Sequence, residues 1–304
     1  MSRWLVYAGT GASQPLIVEE LSRRGLAPQI VLWPMLANCV GMLAVYPLAL
    51  SLGLVVKKKA NVSLCRRFII EACVVDFGSA ALLNLALLRS GAASFTLSYS
   101  SCTLFVALLG AKRLKRSQWT AIFTVTAALI LYATTNSANE RGGSDNLASL
   151  ALALAGSLGH RYMFVLGERA IDAGHVSPFE LSSPMGLVEA SVLAMWSLFV
   201  VAFTRGLEQQ RNYDDAIKGD AALASVDALH ALSFFATLGR RGAVSASLLK
   251  GVQIVLVYTS SKLVFRCRDQ SFECFWNQLM TPLSAAVAAV VLALTIFYKG
   301  LRCI

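Results

Sequence analysis

The sequence predicts an all-α fold, a polytopic membrane bundle of ten transmembrane helices built as two inverted five-helix repeats. Three observations predict it. The 304 residues are 56% hydrophobic and only 14% charged, against roughly a quarter charged in soluble domains, and the mean hydropathy is +0.62. Apolar stretches of crossing length, about 20 residues for a hydrocarbon core of about 30 Å, recur along the chain. The cations behind the net charge of +10 sit in short runs between those stretches, where positive charge orients membrane helices, so no nucleic-acid partner is expected.

The first span, residues 4–21, is polar for its length, with Pro15, Glu19 and Glu20 inside it. No small-residue cleavage site follows an uninterrupted apolar core, so it reads as a retained helix rather than a signal peptide. The second span covers 29–55 and the third 68–88, which carries Glu71, Asp76 and Asn84. The fourth, 91–111, begins GAASFTLSYSSCTL and runs into Lys112, Arg113, Lys115 and Arg116. The fifth and sixth fall at 119–135 and 147–169, the sixth carrying His160, Arg161 and Glu168. The seventh, 184–204, contains Glu189, and the eighth, 222–238, is weakened by Asp227 and His230. The ninth, 243–265, holds Lys250 and Gln253, and the tenth covers 274–297.

Assigning loops alternately to the two sides puts Lys57-Lys58-Lys59, Arg66-Arg67, the 112–116 cluster and Arg240-Arg241 on the side of the N-terminus. The excess of Lys and Arg there places both termini in the cytosol. The sequon Asn61-Val62-Ser63 then faces the cytosol and stays unglycosylated. Cys267 and Cys274 share a loop on the other side, where a disulfide and two free thiols are the alternatives. The seven cysteines and three histidines have no metal-ligand spacing, so no metal and no cofactor are expected.

At an offset of 151, Gly91-Ala92-Ala93-Ser94-Phe95-Thr96-Leu97 lies over Gly242-Ala243-Val244-Ser245-Ala246-Ser247-Leu248, and a basic loop and one more apolar helix follow each copy. The repeats are residues 1–146 and 147–304 of a single membrane domain. Because five helices is an odd number, the second copy enters the membrane from the opposite side. Transporters use that device to place a substrate site near the midplane at the repeat interface.

Asn84-Leu85-Ala86-Leu87, Ser90-Gly91-Ala92-Ala93-Ser94-Phe95, Leu109-Gly110-Ala111-Lys112-Arg113-Leu114 and Ser117-Gln118-Trp119 resemble the third to fifth helices of the drug/metabolite transporter superfamily. The nearest branch is the nucleotide-sugar-transporter-like solute carrier 35 family, close to its F-type and chloroquine-resistance-transporter-like members. The resemblance continues through Glu168-Arg169, Pro178 and Gly186 to Glu189, over about residues 76–190, and is mainly topological beyond. It implies ten helices in two halves around a central cavity lined by the third, fourth, eighth and ninth helices among others. The chain departs from those relatives in lacking a Lys/Arg pair in the ninth helix, where only Lys250 lies at depth, which argues against a nucleotide-sugar substrate.

Ionisable side chains at membrane depth cost at least about 2.5 kcal/mol each, so they turn to the bundle interior and pair or bind something. Asp76 lies near the middle of its helix, and Asn84, eight residues on, is about 80° round from it. Lys250 is about 12 Å inside, with Gln253 nearly a turn further, and the repeat sets Lys250 over Tyr99. Ser94, Ser98 and Ser101 form one polar stripe, for which close helix packing is the alternative to cavity lining. The expected substrate-binding residues are Asp76, Asn84, Ser94, Ser98, Tyr99, Lys250 and Gln253, and the expected coupling carboxylates are Asp76 and Glu189. Arg161 and Glu168, seven residues apart on one face, read as a structural relay. Pro34, Pro47, Pro184 and Pro282 interrupt helices and offer hinges.

No catalytic residues are expected. The adjacent acids Glu19-Glu20 and Asp214-Asp215 have no further acid or histidine around them, unlike an intramembrane transferase. The expected function is secondary transport of a small polar organic solute by alternating access, as an exchanger or coupled to protons. The alternative is a non-transporting membrane scaffold or chaperone that keeps the transporter fold. The expected partners are that small-molecule solute and the lipid bilayer, with a homodimer as a further option, and the expected location is an endomembrane of the Golgi, endoplasmic reticulum or vacuole/lysosome.

Overall fold

The structure, a computed structural model, describes residues 3–24, 32–55, 62–100, 102–110, 114–116, 118–124, 126–127, 145–173, 177–204 and 213–261. Every regular element among them is helical: α1 (Arg3–Arg23), α2 (Leu32–Ser51), α3 (Val62–Ser100), α4 (Cys102–Leu109), α5 (Asp145–Asp172), α6 (Pro178–Thr204) and α7 (Tyr213–Ser261), with residues 118–124 helical as well. Among the described residues, three stretches are long and apolar enough to cross a membrane, Pro34–Ser51, Arg67–Ala86 and Ile217–Gln253. The tenth expected span, residues 128–135 of the fifth, Cys267, Cys274 and Asn61 lie outside the described residues.

Two expected boundaries differ. The third and fourth spans were to part at Arg89 and Ser90, but α3 runs through both. No proline lies between Val62 and Ser100, and Arg and Ser interrupt no backbone ladder, so the helix continues. The eighth and ninth spans follow each other within α7, parted only at Gly242. Its φ of 80° and ψ of 174° fall in a region that is essentially glycine's alone.

The chain forms two compact units. The first comprises Met1–Ala80 and Leu166–Gly242, and the second comprises Ala81–Val165 and Ala243–Ile304. Each therefore takes one segment from the earlier part of the chain and one from the later part.

Within the first unit α2 packs along α6. An added Cβ on Gly186 would stand 2.7 Å from Cys39 O and 2.8 Å from Leu43 N, so glycine lets the two backbones meet. Just above that crossing α2 contains Pro47, which has no N–H to donate to Leu43 O four residues earlier. Ser183 of α6 replaces it: its hydroxyl donates to Leu43 O at 3.0 Å and accepts from Tyr46 N at 3.2 Å. A helix interrupted by proline is thus repaired by its neighbour, as membrane helices require.

The ends of these helices are closed by local chemistry. At the start of α6, Glu180 N donates to Ser177 Oγ at 3.2 Å and Ser177 N to Glu180 Oε2 at 2.8 Å, a capping box with Pro178 at the first helical position. After α2, Gly53 takes φ 64°, with Leu54 N donating to Ala49 O and Gly53 N to Leu50 O. This double bond pattern satisfies the last carbonyls and calls for a left-handed residue.

The faces of α6 divide cleanly. Leu181, Met185, Glu189 and Leu193 are buried, whereas Leu187, Val188, Val192, Met195, Trp196 and Phe199 are exposed. An apolar outer face is what a helix bordering lipid carries.

Within the second unit, Thr103 on α4 donates to Ser247 O on α7 at 3.2 Å, and the Ser247 hydroxyl donates to Val244 O of its own helix at 2.8 Å. Both side chains are buried. Thr103 and Ser247 thus give their hydroxyl hydrogens to backbone carbonyls at a close helix contact.

Candidate functional site

The close approach at Gly186 decides what Glu189 meets. One turn further along the buried face of α6, the Glu189 carboxyl lies against α2, and the Cys39 thiol donates to its Oε2 at 3.6 Å. Glu189 is 5% exposed, and its Oε1 meets no hydrogen-bond donor among the described residues. Asp76, also buried, arrives from α3 near enough for its charge to act on Glu189. The charges of Glu189, Asp76 and Asp227, from three different helices, all act on Cys39 of α2, and Glu189 is the one hydrogen-bonded to it.

Asp227 has a shell of its own. Its Oδ1 accepts from Gln14 Nε2 on α1, and its Oδ2 accepts from the Asn38 amide in the orientation in which that amide also donates to Pro34 O at 3.0 Å. α7 reaches α2 here because Gly41 has no side chain: an added Cβ would lie 2.6 Å from Asp227 Cβ and 2.8 Å from Ala224 O. One turn along α7, His230 stacks on Tyr7 with ring centroids 4.7 Å apart and planes 11° apart. Phe234 continues the stack at 6.2 Å from Tyr7.

Thr10 completes this contact. Its hydroxyl donates to Val6 O at 2.6 Å and lies 3.3 Å from His230 Nδ1. A threonine has a single O–H to give, so toward the imidazole it accepts, which puts the hydrogen on Nδ1. Tyr7, Thr10 and Gln14 recur at helical spacing on α1, as Asp227, His230 and Phe234 do on α7. The two helices run antiparallel along this polar seam.

The second unit buries charge of the opposite sign. Lys250 and Gln253 are both buried on α7, three residues apart, and Arg161 on α5 is fully buried with its guanidinium 4.6 Å above the Phe164 ring. Among the described residues, the buried acids Asp76, Glu168, Glu189 and Asp227 all belong to the first unit, and the buried bases Arg161 and Lys250 to the second.

Of the residues singled out by sequence, Asp76 and Glu189 come within electrostatic reach of each other in the first unit, and Lys250 and Gln253 are buried neighbours in the second. Asn84 is half-buried on α3 and belongs to the second unit, whereas Asp76 belongs to the first. Ser94, Ser98 and Tyr99 lie on α3, but their side chains are outside the described residues. Sequence reasoning passed over Cys39, Asn38 and Gln14. The one usable signal was polar residues at a spacing of three and four in α1 and α7, the two segments judged least apolar.

No family model matches the sequence, and no curated protein matches it. Among solved structures 29 chains match. One, described only as "Crystal structure of protein", aligns over 98% of this chain and 98% of its own at a TM-score of 0.69 and 14% identity. At that identity the likeness concerns the fold, which the two proteins share along nearly their whole length.

Proposed function

We propose that the chain is a multi-pass membrane protein that carries a small polar organic solute by alternating access, as an exchanger or coupled to protons. In this reading ten helices form two inverted repeats, residues 1–146 and 147–304, in an endomembrane with both termini in the cytosol. The observation that carries it is ionisable side chains buried in apolar, membrane-length helices: Asp76 in Arg67–Ala86 and Asp227 and Lys250 in Ile217–Gln253. Keeping charge at such depth is expensive, and in membrane proteins it marks ion and solute pathways. Further support comes from the repeat in the sequence and from the resemblance to drug/metabolite transporters. Asp76, Asn84, Ser94, Ser98, Tyr99, Lys250 and Gln253 are the residues assigned to solute contact.

The test is reconstitution of the full chain into liposomes, with uptake and counterflow measured for nucleotide sugars, sugar phosphates, amino acids and organic cations. Saturable flux of at least one class is expected. Absence of flux for every class contradicts transport and favours the scaffold reading.

A further inference from the structure

We propose that Glu189 binds the coupling proton, with Oε1 as the atom that takes it and Cys39 as the residue that positions the carboxyl. The inference rests on the transporter reading and supplies the ion that drives it.

The argument starts from an atom with nothing to hold. Glu189 Oε2 is engaged by the Cys39 thiol at 3.6 Å, while Oε1, equally buried, has no hydrogen-bond donor among the described residues. Leaving a buried carboxylate oxygen without a donor is costly, so the site is incomplete as it stands. Asp227, the other acid facing this part of α2, differs in that both its oxygens have amide donors, from Gln14 and Asn38.

The surroundings select the ligand. Hard metal ions need about six or more oxygen ligands within 2.0–2.6 Å, and among the described residues no group of three His, Cys, Asp or Glu can hold a metal. An ammonium head needs a cavity beside the oxygen, yet Oε1 is closed to solvent. A proton needs one lone pair and no space. The titratable groups that interact with Glu189 are Cys39 from α2 and Asp76 and Cys73 from α3, and Asp227 from α7 acts on Cys39. The buried charged groups among them are carboxyls, so one proton lowers the charge of the cluster by one where like charges repel in a dry interior.

The step balances simply. A hydronium ion from the water on one side forms the O–H bond at Oε1 and leaves a water molecule; after the site opens to the other side, that bond breaks and the proton passes to water there. Cys39 keeps its own hydrogen throughout, fixing Oε2 so that Oε1 alone is offered.

Infrared difference spectroscopy of the purified full chain, acid minus alkaline, tests this without any transported solute. The wild type is expected to show the C=O stretch of a protonated carboxyl that appears and vanishes with pH. Glu189→Gln is expected to lose that band, and Cys39→Ser to keep it at a shifted frequency. A wild type without a titrating band, or a Glu189→Gln spectrum identical to that of the wild type, overturns the proposal, and an unmoved Glu189 component in Cys39→Ser removes Cys39 from it. If Glu189→Gln does not fold, Glu189→Asp serves: a displaced band supports the assignment and an unmoved one overturns it. Because the spectrum needs no flux, failure of the liposome assay and failure of the proton site are separate results.

Discussion

Asp227 shows how a buried acid is tolerated in an apolar helix. Two side-chain amides, one from α1 and one from α2, donate to its two oxygens, so Asp227→Ala takes an acceptor from two half-buried amides, of which Asn38 keeps Pro34 O. A buried group stripped of its partner costs about 1–3 kcal/mol. Asp227→Ala is therefore expected to lower stability by at least about 1 kcal/mol, read as a lower midpoint in thermal unfolding of the detergent-purified chain, with Asp227→Asn losing less. Sequence alone revealed the acids, since Asp76, Glu189 and Asp227 are conspicuous in apolar runs. It could not reveal their partners. Cys39 sits in an apolar stretch and counts as a small hydrophobe, and Gln14 and Asn38 acquire meaning only once Gly41 and Gly186 have brought the helices together.

At the level of the helix, backbone satisfaction decides more than apolarity. Ser183 supplies the hydrogen bond that Pro47 denies to Leu43 O, so a proline that reads as a hinge in sequence is held in place. Ser183→Ala exposes that carbonyl and is expected to destabilise the chain by about 1–3 kcal/mol, whereas Pro47→Ala together with Ser183→Ala recovers much of the loss. Measuring unfolding midpoints of the two single variants and the double variant checks this coupling. Gly242 makes a second case. Its φ of 80° and ψ of 174° suit no residue with a side chain, so Gly242→Ala is expected to cost about 1–3 kcal/mol in the same assay. Helices of the expected type were legible from hydropathy. Their boundaries at 89–90 were not, because a hydropathy dip marks polarity, and the ladder of α3 stops only where backbone geometry forces it.

At the level of the compact units, the buried charge among the described residues is sorted by sign, with the acids in the first and Arg161 and Lys250 in the second. A transporter needs both sets for turnover, whereas a scaffold needs them only for packing. Asp76→Asn and Lys250→Ala are thus each expected to reduce flux in liposomes at least tenfold while keeping a wild-type elution profile. Full flux in either variant removes that residue from the solute path. The sequence made apolar helices of membrane-crossing length legible through composition. It left the pairing of segments into units unreadable, since pairing depends on contacts between residues more than a hundred positions apart.

The seam between α1 and α7 has a consequence for how the chain is made. The stretches of crossing length and apolarity do not include α1, and Tyr7, Thr10 and Gln14 meet partners on a helix that begins at Tyr213. At about 5–20 residues per second, the ribosome needs roughly 10–40 s after finishing α1 to deliver them. For that interval a polar segment must wait at the translocon or the membrane surface without its mate. Biogenesis of this protein is then vulnerable at its beginning, and a helper that shelters a nascent, weakly apolar segment will matter most for α1.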